Sequence, residues 1–340
     1  MEPYKALALQ TTCHAVNDLP PTAAREKMLD NIRAVGRQIA ASKRFIGPDL
    51  RLVVLPEYFA SGFPWGESIA LWQEKACFDI NGPEYAALSA IAREHNIFLS
   101  GNAYELDPHF PDLYFQSSFI IGPDGNIILR YRRLNSMYAP TPHDVWDQYL
   151  GIYGLEGVFP VARTSIGHLA CIASEEILYP EIARCLMMRG AEVFLHSSSE
   201  VGSPLLTQKG VAKLARAIEN MAYVVSANSA GISGTDIPFA STDGLSKIVQ
   251  YEGIVLCEAA GGESMVANAT IDITALRQHR HRPGMSNFIA RQRFELFAES
   301  YARHSFYPPN TFANKKPERS HFIEQIRTAI ARYTDTGNAI

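Results

Sequence analysis

IGHLACIASEEILYPEIARCLMMRGAEVFLHSSSE, residues 166–200, is the stretch whose reading decides the fold. Leu169 to Ala173 is short, apolar and uncharged, which predicts a buried strand. The chain then turns at Ser174-Glu175-Glu176, is predicted helical from about Pro180 to Arg189, and returns as a second buried strand, Glu192 to His196. A small polar residue at the tip of a buried strand, just before a helix, is where α/β enzymes hold a nucleophile. The tight turn exposes its side chain, and the backbone N–H groups that follow can receive a developing oxyanion. Ser174 occupies that tip. Taken alone, the segment reads first as a plain crossover carrying a surface serine, and it is the residues elsewhere in the chain that shift the balance.

Upstream, Lys5 to Gln10 reads as a strand, and Pro20-Pro21-Thr22 introduces a helix from about Ala23 to Ser42, with Met28, Ile32, Val35 and Ile39 on one face. Arg51 to Leu55 is a buried strand that stops at Pro56-Glu57, before the Gly- and aromatic-rich loop YFASGFPWGES. A helix from Pro83 to His95 and a strand from Ile97 to Gly101 follow. Phe115 to Ile121 and Ile127 to Tyr131 are strands joined by Pro-Asp-Gly-Asn, a hairpin signal. The aromatic stretch MYAPTPHDVWDQYLGIYG is expected to be an irregular loop that lines something. Downstream, a helix (Leu206 to Met221), a buried strand (Tyr223 to Ala227) and a meander (Ser246–Gln250, Ile254–Glu258, Ser264–Ile271) precede helices around Asn287–Arg303 and Phe322–Arg332. Strands alternating with helices and interrupted by hairpins predict two mixed sheets covered by helices.

The 340 residues, 47% of them hydrophobic, contain no linker or low-complexity tract, so one globular domain with a C-terminal extension is expected. A formal charge of −4 with mixed signs argues against a nucleic-acid surface. No apolar run approaches the roughly 18 residues of a membrane span. The N-terminus lacks a basic region followed by an apolar one, so no secretory signal is expected. Five scattered cysteines without a CxxC pair fit reduced thiols in a cytoplasmic protein. No metal or organic cofactor is implied. His279 and His281 sit in a stretch expected to be a solvated basic loop.

Four further positions are candidates for one site. Glu57, behind proline and among Tyr58, Phe63 and Trp65, is a partly desolvated carboxylate suited to general-base work. Arg133 closes the basic run Arg130-Tyr131-Arg132-Arg133. Asp144, near Trp146, is a possible polar contact for substrate, and His196 leads a polar strand end where ligands collect in open α/β sheets. Each has a plainer reading by itself: a capping Glu, a charged edge strand, a turn Asp, a loop of capping serines.

Together the order resembles the carbon–nitrogen hydrolase (nitrilase and aliphatic amidase) superfamily over about residues 4 to 275. The family's glutamate, in a strand-end Pro-Glu, maps to Glu57. Its lysine, eight residues after the hairpin glycine Gly125, maps to Arg133. Its cysteine, six residues before the proline of a second Pro-Glu, maps to Ser174. The resemblance implies a four-layer αββα sandwich of two mixed β-sheets. It also implies a hydrolase domain at 1–275, an extension at 276–340 that contacts a partner, and a homodimer or larger assembly. The implied activity is hydrolysis of a non-peptide C–N bond in a small amide, nitrile or carbamoyl compound. Glu57 would be base and then acid, Ser174 the nucleophile, and Arg133 with the Glu175 N–H the oxyanion holder. Tyr58, Phe63, Trp65 and Trp146 would bound the pocket, with Asp144 and His196 as polar selectors. Glu176 is expected to be structural.

Glu–Arg–Ser is not the family's Glu–Lys–Cys. A hydroxyl needs a base throughout its attack, and arginine cannot give up a proton as lysine can. Cys171 lies inside the strand, and side-chain alternation would point it away from Ser174. Three explanations stand open: a native serine variant with hydrolase activity, a pseudoenzyme that still binds an amide-like ligand, or a cysteine enzyme trapped by a Cys-to-Ser replacement.

Overall fold

The computed structural model describes residues 1–200, 206–313 and 315–335. Two six-stranded sheets lie at its centre. Across the first run Asn268–Ile271, Tyr4–Ala8, Leu50–Val54, Phe98–Leu106, Tyr114–Ile121 and Ile127–Arg132. Across the second run Val255–Glu258, Lys247–Val249, Tyr223–Ala227, Val193–Ser197, Gly167–Ala173 and Ala162–Thr164. Three parallel strands form the middle of each, and antiparallel neighbours flank them.

Strands covered on both faces must be apolar on both, which is why the central ones read as near-continuous hydrophobic runs. Alternation then divides them. Ala6, Ala8, Leu52 and Val54 face the second sheet in one core with Leu169, Phe194 and Val224. Leu7, Val53 and Leu99 pack instead with Met28, Ile32, Val35 and Ile39, the predicted apolar face of the helix Pro21–Ile46. Pro83–His95 joins that helix outside the first sheet, while Pro180–Met188 and Gln208–Asn220 cover the second. The result is the expected αββα sandwich.

Three helices were not anticipated. Ile69–Ala76 starts at Ser68, whose hydroxyl accepts the Leu71 N–H at 3.2 Å. Trp146–Val158, broken at Gly154, replaces half of the expected aromatic loop. Its buried aromatic Tyr149 packs on Phe110 and Phe115, contacts from elsewhere in the chain that no local periodicity reveals. Ile273–His281 is capped by Asp272, which accepts the Ala275 N–H at 2.8 Å, so the basic run read as a loop is a last helical turn, where cations suit the dipole. Ile273 and Leu276 are buried in the second sheet's core, and the expected boundary after residue 275 falls within this helix. The predicted helix Asn287–Arg303 contracts to Glu295–Ala302.

Candidate active site

The strand Gly167–Ala173 delivers Ser174 to the start of a short 3₁₀ turn, Ser174–Leu178. Ser174 has φ +47°, an uncommon backbone state for a residue with a Cβ and one that concentrates where surrounding structure enforces it. Here the enforcement is visible. His196 Nε2 donates to the Ser174 carbonyl oxygen at 2.7 Å. A carbonyl only accepts, so Nε2 carries the hydrogen and Nδ1 accepts from Ser226 Oγ at 2.8 Å. Burial, followed by the nearby Lys213, holds the imidazole pKa well below its ordinary value, and the ring stays neutral. His196 is therefore a buttress behind Ser174.

Glu57 follows the strand Leu50–Val54, and its N–H donates to the Ser198 carbonyl at 3.2 Å, tying together strand ends of the two sheets. The carboxylate is buried, and Oε1 accepts from Gln116 Nε2 at 2.7 Å and from Arg133 Nη1 at 3.2 Å. Arg133 stands one residue past the hairpin strand Ile127–Arg132. Its Nε donates to Asn135 O at 2.7 Å, Nη1 also to Gln116 Oε1 at 2.7 Å, and Nη2 pairs with Glu175. Burial opposes this charge, but the carboxylates of Glu57, Glu175 and Glu176 outweigh it and raise the guanidinium pKa above its usual value. The other arginines of the run are equally engaged. Arg132 pairs with Glu105 and Asp107 and lies over the Tyr153 ring, and Arg130 pairs with Glu105.

Glu176 is fully buried. It accepts from Tyr131 OH at 2.7 Å and from the N–H groups of Leu134 and Asn135 at 2.7 and 2.9 Å. It thereby fixes the turn after the hairpin against the turn after Ser174. Burial pushes its carboxyl up to about 7, against the pull of Arg133 and the donors.

Glu57, Arg133 and Ser174 line one cavity of about 230 Å³, together with Tyr58, Phe63 and Glu175. The remaining candidates lie elsewhere. Asp144 and Trp146 line an adjoining cavity of about 420 Å³, with Glu175, Ser136 and Met137 bordering both. Asp144 is spent on its own loop and on the C-terminal segment, accepting from the N–H and hydroxyl of Thr141 at 2.8 Å each and from Thr311 Oγ1 at 2.5 Å. Trp65 is 60% exposed and meets Phe63 edge-on, so it guards the outside of the wall. Cys171, buried against Ser100 with its thiol pushed up to about 12 by burial, is inert core.

Two cavity residues had no sequence signal in the motifs. Gln116 bonds both Glu57 and Arg133. The hairpin register, Ser117 opposite Arg132, would have placed it across from Arg133. Lys209, in the first turn of Gln208–Asn220, donates from Nζ to Ser174 Oγ at 3.0 Å. Nothing in the spacing pairs residues 174 and 209. Among the described residues no group of His, Cys, Asp and Glu could hold a metal ion, and no helix is long and apolar enough to cross a membrane.

The carbon–nitrogen hydrolase family model matches residues 14–281. A formamidase of Pseudomonas syringae pv. tomato is 27% identical over 271 residues, 80% of this chain and 74% of the relative. The crystal structure of a carbon–nitrogen hydrolase from Helicobacter pylori G27 superposes with a TM-score of 0.65 at 19% identity, covering 89% of this chain and all of that one. Saccharomyces cerevisiae Nit3, of the nitrilase superfamily, gives 0.63 at 19% identity over 82% of this chain and 93% of the other.

Proposed function

The chain belongs to the carbon–nitrogen hydrolase family, and from that premise we propose that it hydrolyses a small amide through Ser174, Glu57 and Arg133. The observation that carries the reading is the single cavity bounded by these three side chains. Its volume of about 230 Å³ suits a compound of a few heavy atoms, and the similarity to proteins named formamidase favours an amide over a nitrile. Ser174 Oγ attacks the carbonyl carbon, and the oxygen that becomes negative is received by the Glu175 N–H and the Arg133 guanidinium. The amine leaves, an ester remains on Ser174, and Glu57 activates the water that hydrolyses it. Arg133, between two carboxylates, contributes fixed positive charge and hydrogen bonds, not proton transfer.

The test is ammonia release from formamide, acetamide and propionamide by the wild type, Ser174→Ala and Glu57→Gln. Turnover lost in both variants supports the reading; turnover that survives Ser174→Ala sinks it. A binding protein without turnover is the second reading. It is favoured because Glu57 Oε1 is engaged by Gln116 and Arg133, and no hydrogen bond joins Glu57 to Ser174. It predicts an amide-induced rise in Tm with no ammonia.

A homodimer is part of the same proposal. All residues of the helix Glu295–Ala302 are exposed, including Leu296, Phe297 and Tyr301, which suits a covered surface. Sedimentation of the full chain against one lacking residues 285–340 tests it: loss of a dimer in the shortened chain is expected, and a monomer in both refutes it.

A further inference from the structure

We infer that Lys209 is the base that takes the proton of Ser174. The inference rests on the hydrolase reading for its substrate, and on geometry of its own for the step. A serine hydroxyl requires a proton acceptor within roughly 2.6–3.2 Å. Glu57 makes no hydrogen bond to Ser174, and its Oε1 is taken by Gln116 and Arg133. His196 cannot serve, because its Nε2–H is committed to the Ser174 carbonyl and Nδ1 to Ser226. Lys209 Nζ stands 3.0 Å from Ser174 Oγ and is the hydroxyl's hydrogen-bond partner among the described residues: as an ammonium it donates to Oγ, and only as the deprotonated amine can it accept the hydroxyl proton across the same distance.

The pairing of that amine differs from that of its neighbour on the helix. It has no carboxylate partner among the described residues, whereas Lys213, one turn further along the same helix, is matched by Glu200. Arg133, Glu57 and Glu175 line the same cavity, and the neutral His196 lies behind it. The two departures from the family pattern then belong together. With arginine at position 133, which cannot accept a proton, position 209 returns a proton-accepting amine to the nucleophile.

The step balances with no further reactant. The Ser174 O–H bond breaks toward the Nζ lone pair as Oγ bonds to the carbonyl carbon, and the C=O π pair moves onto oxygen. When that pair returns, the C–N bond breaks and the amine departs with the proton from the Lys209 ammonium, which restores the neutral base.

The experiment reads acylation chemistry apart from the choice of amide. The full-length protein, Lys209→Met, Lys209→Arg and Glu57→Gln are treated with an alkyl fluorophosphonate across pH 5 to 10, and the mass gain at Ser174 is followed with Tm as a fold control. Labelling of Ser174 is expected to rise with pH in the wild type, and to fall about 100-fold with loss of that rise in both Lys209 variants. Labelling within threefold of wild type in Lys209→Arg would reduce Lys209 to a charge and overturn the assignment. So would labelling that survives Lys209→Met and disappears in Glu57→Gln, or no labelling of the wild type at all. Labelling that depends on Lys209 without turnover of any amide upholds the dyad and sinks the hydrolase reading. Ser174-dependent turnover indifferent to Lys209 does the reverse.

Discussion

Replacing Arg133 by lysine restores the residue type that the family pattern leads one to expect, yet the structure predicts a weaker protein. The guanidinium uses three nitrogens in three directions: Nε to Asn135 O, Nη1 to Glu57 and Gln116, Nη2 to Glu175. A lysine ends in one nitrogen and can keep the Glu57–Gln116 side of this set while losing the other two contacts. The buried charged hydrogen bond to Asn135 O contributes on the order of 1.5–3 kcal/mol. The Glu175 pair, whose carboxylate is a third exposed, contributes less than about 1 kcal/mol. Arg133→Lys should therefore lose about 2–3 kcal/mol in urea unfolding at unchanged m-value. Ammonia release from a short amide should fall with it, because Glu57 and the oxyanion site shift together. A variant as stable as wild type, or one with faster turnover, would refute the view that the cavity is built around an arginine fork.

Glu176 gives a pH signature. Its folded pKa of about 7 exceeds the ordinary 4.5, so the folded state binds the proton more tightly. Its contribution is complete below about 4.5 and is lost as pH rises through about 7. Relative to Glu176→Gln, wild type should lose up to about 3 kcal/mol between pH 4.5 and 8 in urea melts; a constant difference refutes this. His196→Ala removes the donor to the Ser174 carbonyl. Turnover should fall about 100-fold through misplacement of Oγ, with KM less changed. Equal kcat in the two proteins would show that the buttress is dispensable. Gly125 turns the hairpin that carries Arg133 with φ +81°, and a Cβ there would strike Arg93. Gly125→Ala should lower stability by about 1–2 kcal/mol in the same melts, and a neutral result would contradict the strain argument.

The catalytic candidates were legible because each stands at or just past a strand end and carries a local signal: Pro-Glu for Glu57, the Pro-Asp-Gly hairpin and its basic second strand for Arg133, and a strand tip before a helix for Ser174. Such signals fix where a side chain emerges, and strand ends of both sheets collect at one edge. The aromatic stretch from Met137 to Gly154 divides in two. Met137 to Trp146 lines the two cavities, as its irregular composition suggests, though Asp144 is held by Thr141 and Thr311, whereas Tyr149 is a partner for Phe110 and Phe115 in a helix packed on the first sheet. Lys209 was illegible because only the packing of the helix Gln208–Asn220 on the second sheet brings it to Ser174.

The direct test of the central claim is to quench the protein in acid during turnover of formamide or propionamide and weigh the peptide that carries Ser174. An acyl mass on that serine, accumulating in Glu57→Gln and absent in Ser174→Ala, is the predicted result. Amide consumed with no acyl group ever found on Ser174 in either protein would contradict it.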